Sequence, residues 1–359
     1  MAERSMWSRR LGLGRAGRHL LGVLALVLVV ACEPDVLGIY HTLATESERD
    51  NRNLHDNLTV SATAEVAGYF YVAAHGMWSR PIGRDSWQEV RRPRSGSVEM
   101  PVLGMAQRNA TLCVGTDNGV YHADADPKAP SWQRATGISG QILRVFAIPG
   151  RAGEILAIVH NDGLFVSRDG CQEFSRVELP VEATASGRPY DAFHDGSKYW
   201  LTVGKRVYFG GNLDDPLQRE ARAPEDSDYR GIWCLGTDNC YFANRAGEIY
   251  SLDSNNLELL GTIEPPDDDV EEVPLTLFID IEDQMLIGTE GYGFYQFGVR
   301  DLDLSDVRRG PRSTSQLYRA HVTMFARHGD LVFAGTAGGG LSSIKVATAV
   351  KDTGTWDWE

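Results

Sequence analysis

The sequence predicts an all-β fold, a closed ring of four-stranded sheets. Three observations carry that prediction. A short turn phrase recurs at a nearly constant interval, short β-type apolar runs lie between its copies, and helical periodicity is nearly absent after residue 56. The phrase is "GTDNGVY" at 115–121, echoed by "GTEGYGFY" at 288–295 and "GTAGGGLS" at 335–342.

An apolar–aromatic pair follows most of these turns: Met77-Trp78, Val120-Tyr121, Leu164-Phe165, Val207-Tyr208, Ile249-Tyr250 and Phe294-Tyr295, with Leu341-Ser342 as a worn seventh. Their second members are spaced by 43, 44, 43, 42, 45 and 47 residues, a mean of 44. Each period holds four β-type runs. In the third, "ILRVFAIPG" and "EILAIVH" precede the turn Asn161-Asp162-Gly163, then come "LFVSR" and "EFSRVEL". Asn, Asp and Gly gather at the turns because they tolerate the positive φ of tight hairpins. Four strands in about 40–45 residues is the period of a β-propeller blade. One such sheet cannot bury both faces, but sheets set around an axis can. The spacing favours seven blades over six or eight. The first begins near Leu58 and the last closes on "TWDWE" at 355–359, so each blade is complete in sequence, with no strand exchanged between termini.

The segment before the repeats has a different character. Arg4, Arg9, Arg10, Arg15 and Arg18 precede an uncharged apolar run, Leu20 to Ala31. The run is too short to span a bilayer as a helix, which takes about 20 residues, and it fits a secretory signal. It ends in Val29-Val30-Ala31-Cys32, which resembles the bacterial lipobox. The resemblance implies cleavage before Cys32 and a diacylglyceryl thioether on it. Ser8-Arg9-Arg10 resembles a twin-arginine signal, but Gly12 and Gly14 interrupt the apolar continuation. Glu33 stands where an aspartate would favour inner-membrane retention, so the outer membrane is weakly favoured. The expected organisation is a signal peptide at 1–31, a lipidated cysteine and polar tether at 32–57, and the propeller at 58–359.

Charge narrows the function classes. Removal of residues 1–31 takes five arginines and one glutamate from the 35 basic and 49 acidic residues, leaving 30 against 48, a formal −18. Such a chain has no electrostatic footprint for nucleic acid, and anionic headgroups repel it, so the lipid must hold it at the membrane. In an oxidising compartment, Cys234 and Cys240, which bracket "CLGTDNC", are candidates for a bridge across one turn. Cys113 and Cys171 lie in neighbouring repeats, and spacing alone leaves their pairing open.

"SRDGCQEF" at 167–174 resembles the Asp-box, S-x-D-x-G-x-T-W: Ser167, Asp169 and Phe174 hold the pattern, while Gly170 is shifted by one. Asp-boxes occur in sialidases, sortilin-type receptors and propellers related to the photosystem II assembly factor. The resemblance implies a structural role, in which the aspartate pins the turn between the third and fourth strands. It also raises a glycoside-hydrolase alternative, which requires three arginines on a carboxylate and a Tyr–Glu pair. Arg144, Arg230 and Arg319 stand near the starts of innermost strands, while "SRPIG" at 79–83 has the sialidase arginine motif in changed order.

No other catalytic pattern is present. There is no H-E-x-x-H, C-x-x-C, P-loop or G-x-S-x-G, so neither a cofactor nor a metal is expected. The acidic loop Glu264–Pro274 reads as a solvated connection between the fifth and sixth blades. Two basic segments, with Arg91, Arg92 and Arg94 in one and Arg308, Arg309, Arg312 and Arg319 in the other, precede inner strands and are expected on one face. Basic loops on an acidic body suit an acidic protein or an anionic glycan. The expectation is a non-catalytic assembly, adhesion or scaffold factor of the cell envelope.

Overall fold

The computed structural model describes residues 58–359, apart from 75, 85, 125, 127–129, 182–188, 220–226, 254–255, 266–269, 283, 299–303, 305–306, 311–315, 347–356 and 359. It is a β-propeller of seven four-stranded antiparallel blades, each built from consecutive strands. The inner strands are Val60–Val66, Gly104–Arg108, Ile142–Ala147, Pro189–His194, Tyr229–Gly236, Leu275–Ile281 and Val322–His328. The last blade ends on Asp357–Trp358, inside the predicted closing strand. A small extra hairpin, Arg94–Ser95 with Val98–Glu99, rises between the first two blades.

The second strand of each blade explains why its sequence is a continuous apolar run and not an alternating one. Ile155–Val159 and Tyr199–Val203 are buried at every position, because neighbouring blades cover both faces. The apolar side chains sort into seven clusters, one per blade interface. Ile155, Phe165 and Phe174 of blade 3 pack with Cys113 and Val120 of blade 2. Val60, Phe70 and Val72 of blade 1 pack with Met324, Phe333 and Leu341 of blade 7, so the ring closes on a core like the others. Full burial of one such side chain stabilises by about 1.5–3 kcal/mol.

The repeated "GT" phrase has two physical causes. The threonine closes the turn that follows: the hydroxyls of Thr116, Thr289 and Thr336 donate to the carbonyls of Gly119, Gly293 and Gly340 at 2.9, 2.8 and 3.1 Å. The glycine makes room for the next blade. A Cβ on Gly115 would sit 2.6 Å from Ile142 Cγ2, and one on Gly335 would sit 2.6 Å from Met324 Cγ and 2.9 Å from Val60 Cγ1. The phrase therefore marks where a second strand passes beneath a neighbouring inner strand.

Cys113 and Cys171, 58 positions apart in sequence, form a disulfide across the interface of blades 2 and 3. A loop of that length contributes about 4 kcal/mol in the chain-entropy account. Cys234 and Cys240 are also bridged, facing each other across the inner and second strands of blade 5.

The glycine packing gives a test. Gly335→Val should lower unfolding stability by about 1–3 kcal/mol through overpacking against blade 1. Gly298→Ala, where an added Cβ meets nothing within 4 Å, should change it by less than about 0.5 kcal/mol in the same urea titration.

Candidate functional site

The site is the mouth of the central channel at the end where the inner strands begin. In six blades the pairing register slips at that point: Val60/Ala62, Ile142/Arg144, Pro189/Asp191, Tyr229/Gly231, Leu275/Phe278 and Val322/Met324. A β-bulge re-aims the side chain of its extra residue. Here the slip falls at Ser61, Leu143, Tyr190, Arg230, Thr276-Leu277 and Thr323. In blade 2, Leu103 holds the matching place, its N–H donating to Gly115 O at 2.8 Å. These residues, with Thr59, Arg144, Glu290 and His321, line a cavity of about 360 Å³ on the channel axis. A second cavity of about 250 Å³ continues it toward Phe146, Phe325 and His328.

The small members of the ring stitch the blades together. Thr323 Oγ1 donates to Val60 O, Thr276 Oγ1 to Val322 O at 3.2 Å and Ser61 Oγ to Val102 O at 3.3 Å. Arg144 does the same work with a longer arm, donating from Nη1 to Tyr190 O at 2.6 Å and to Asp191 Oδ1 at 3.3 Å. Burial pushes the Asp191 carboxyl above its ordinary value, against the pull of Arg144 and of the Ile232 N–H.

Arg230 is placed differently. Its guanidinium lies over the Tyr190 ring, 3.8 Å from the centroid, and its nearest carboxylate, Asp228, is 3.8 Å away. Its side chain is only 13% exposed, and its Nε meets no acceptor among the described residues. Burial pulls its pKa below the ordinary arginine value. Tyr190 donates its hydroxyl to Asp228 Oδ2 at 3.2 Å, and Glu290 is held by Arg245 at 3.0 Å.

The mouth thus brings together Arg144 and Arg230 but not Arg319, which is exposed on the turn Gln316–Arg319. Arg80 of "SRPIG" is buried over the Trp87 ring at 4.8 Å, away from the cavity lining. A Tyr–Glu pair does exist, Tyr199 donating to Glu154, but it is sealed between blades 3 and 4, where burial and the Glu154 hydrogen bond push the tyrosine to about 12. The arrangement can hold an anion against Arg230. Among the described residues it does not assemble the three-arginine clamp and Tyr–Glu pair that glycoside hydrolysis of that type requires.

The basic segments take several positions. Arg92 and Arg94 pair with Glu99 at 3.1 and 3.0 Å on the extra hairpin, and the Arg91 carbonyl accepts Trp132 Nε1 at 2.8 Å. Arg308–Arg309 form the outer strand of blade 6 rather than a loop before an inner strand, because they pair with Gln296 and Tyr295. Arg309 stacks on Tyr318 at 3.5 Å and donates to the Tyr292 and Tyr318 carbonyls. The first segment leads into the hairpin between blades 1 and 2, and the second lies in blade 6. Cys32 and Arg312 lie outside the described residues.

At the Asp-box-like turn, Asp169 Oδ1 accepts Ser167 Oγ at 2.8 Å and the Gln172 and Glu173 N–H groups at 3.0 and 3.1 Å, while Phe174 is buried. Burial works against ionisation of Asp169, yet these bonds hold its pKa below the usual value. Asp195 plays a similar part in blade 4, accepting Trp200 Nε1 at 2.8 Å and the N–H groups of Ser197, Lys198 and Asp238. Burial again opposes its charge, and the hydrogen bonds prevail, bringing it down to about 2.

No protein-family model matches this chain, and no curated protein matches it. Solved structures match its fold. YCF48 from Cyanidioschyzon merolae is 12% identical, with a TM-score of 0.57, over 81% of this chain and 96% of that one. A structure described as YCF48 bound to D1 peptide is 11% identical, with a TM-score of 0.57, over 80% and 94%. The RRP9 WD40 repeats are 10% identical, with a TM-score of 0.60, over 82% and 96%. At these identities the likeness is one of fold, the β-propeller.

The Asp195 turn yields a pH test. Its carboxyl titrates at about 2 when folded against 3.8 when free. The stabilisation is therefore complete above about pH 4 and lost as pH falls toward about 2. Asp195→Asn should remove about 1 kcal/mol of that acid-dependent loss, allowing for solvent screening, read as a shallower fall of the urea midpoint over this range.

Proposed function

We propose that the protein is an envelope lipoprotein whose propeller binds an acidic segment of a protein partner at the channel mouth, as an assembly or scaffold factor without catalysis. The observation that carries this reading is Arg230. A half-buried guanidinium whose Nε meets no acceptor among the described residues, and whose nearest carboxylate stands 3.8 Å away, is incompletely satisfied, and a ligand carboxylate would supply the missing acceptors in planar, paired geometry. The seven-membered ring around it offers mixed apolar and hydroxyl contacts of the kind that orient a bound chain. A propeller of similar fold is described as bound to a peptide, which supports a protein ligand by analogy of fold. Arg91, Arg308 and Arg319 are exposed outside the mouth and would speed encounter with an acidic partner.

Anchoring is the second half of the proposal. The lipobox-like run ends at Cys32, and the first residues of the ring, Leu58 and Thr59, enter at the mouth, where Thr59 lines the cavity.

Two experiments test these halves separately. In crosslinking capture from membranes, Arg230→Met should lower recovery of the main partner by about tenfold or more, the worth of a charge-assisted contact. Equal recovery would remove the mouth as the binding site, and capture of a glycan alone would replace the partner class. In cells fed an alkyne fatty acid, the wild-type chain should take up label and Cys32→Ala should not. Label on the Cys32→Ala chain would defeat the anchor assignment.

A further inference from the structure

Blade 5 differs from the other six at its outer edge. Among the described residues the other outer strands are two residues long, whereas that of blade 5, Asn256–Thr262, has seven. Its backbone edge is the last in its sheet. Leu260 is a bulged extra residue, since Leu259 pairs with Tyr250 and Gly261 with Ile249. The bulge leaves two adjacent leucines in solvent, Leu259 at 52% and Leu260 at 40% exposure. Leu304 of blade 6 covers the far end, where a Cβ on Gly261 would lie 2.9 Å from its Cδ1, so the exposed stretch is Glu258–Leu260, with Leu257 turned into the core.

Charge indicates what would cover it. Glu258 lies on the exposed part of the strand, and Glu264, Glu271 and Glu272 follow beyond its covered end; all four are exposed, and none has an ion pair among the described residues. The ends of that connection converge, because a Cβ on Gly247 would meet both Ile263 O at 3.4 Å and Val273 O at 3.2 Å. Unpaired edge groups take an added strand, apolar side chains select apolar partners, and clustered carboxylates select cations. A second copy of this acidic chain would bring like charges together at the same edge.

We propose that the outer edge of blade 5 is a second docking surface, which adds to its sheet an extended segment of a partner protein carrying alternating apolar and basic residues. It is separate from the channel mouth and does not depend on Arg230.

Hydrogen exchange on the full mature chain tests this, with an end-blocked decapeptide of alternating valine and lysine as the probe. At peptide concentrations about ten times its dissociation constant, exchange at Asn256–Leu260 should slow by about tenfold. Slowing should be lost in Leu259→Lys, whose exposed position leaves the fold intact, and retained in Arg230→Met. The proposal is overturned by any of four results: absence of slowing, slowing centred elsewhere, equal slowing in Leu259→Lys, or concentration-dependent slowing without peptide, which would mark a second copy as the occupant.

Discussion

A four-stranded sheet with two apolar faces is insoluble alone, and the whole molecule follows from how that is resolved. Each sheet lies between two others, and the apolar side chains divide into clusters that each join neighbouring blades. A linear array would leave two faces open and would need polar caps. The seam between blades 7 and 1 removes that need. Phe70 stacks on Phe333 at 4.5 Å, Thr323 donates to Val60 O, and His328 Nδ1 lies 2.9 Å from Glu65 Oε2.

The same constraint places the candidate site. Inner strands converge on the axis, and in six blades a bulge at their entry turns one or two residues toward the channel. Where such a residue is small and carries a hydroxyl, as at Ser61, Thr276 and Thr323, it spans to the next blade and serves the ring. Where it is large, as at Tyr190 and Arg230, it projects charge and aromatic surface into the mouth. One position therefore does structural work in some blades and offers chemistry in others. The Asp169 and Asp195 turns, by contrast, are satisfied within the protein and hold the hairpins that carry the strands.

Much of the architecture was legible in the sequence, because a repeat writes its period seven times. The spacing of Trp78, Tyr121, Phe165, Tyr208, Tyr250 and Tyr295 set the blades, and "GT" marked the passage of one strand beneath another. The site was less legible. Arg144 and Arg230 could be placed near inner-strand starts, but Tyr190 and the hydroxyl ring could not. A bulge adds one residue out of phase, and period-two alternation is blind to it until the partner strand is known. The basic segments misled for a related reason. Arg308 and Arg309 look like loop residues by composition, yet they pair as an outer strand, and Arg309 gives its hydrogen bonds to the local backbone.

Closure of the ring by a seam equal in kind to the others is the central claim, and native-state hydrogen exchange measures it directly. If it is correct, amides in Val60–Val66 and Val322–His328 exchange only by global unfolding, with the same opening free energy as those in Pro189–His194. If the amides of blades 1 and 7 open well before those of blade 4, as terminal repeats of a linear array do, the seam is a weak contact and the account of the fold fails.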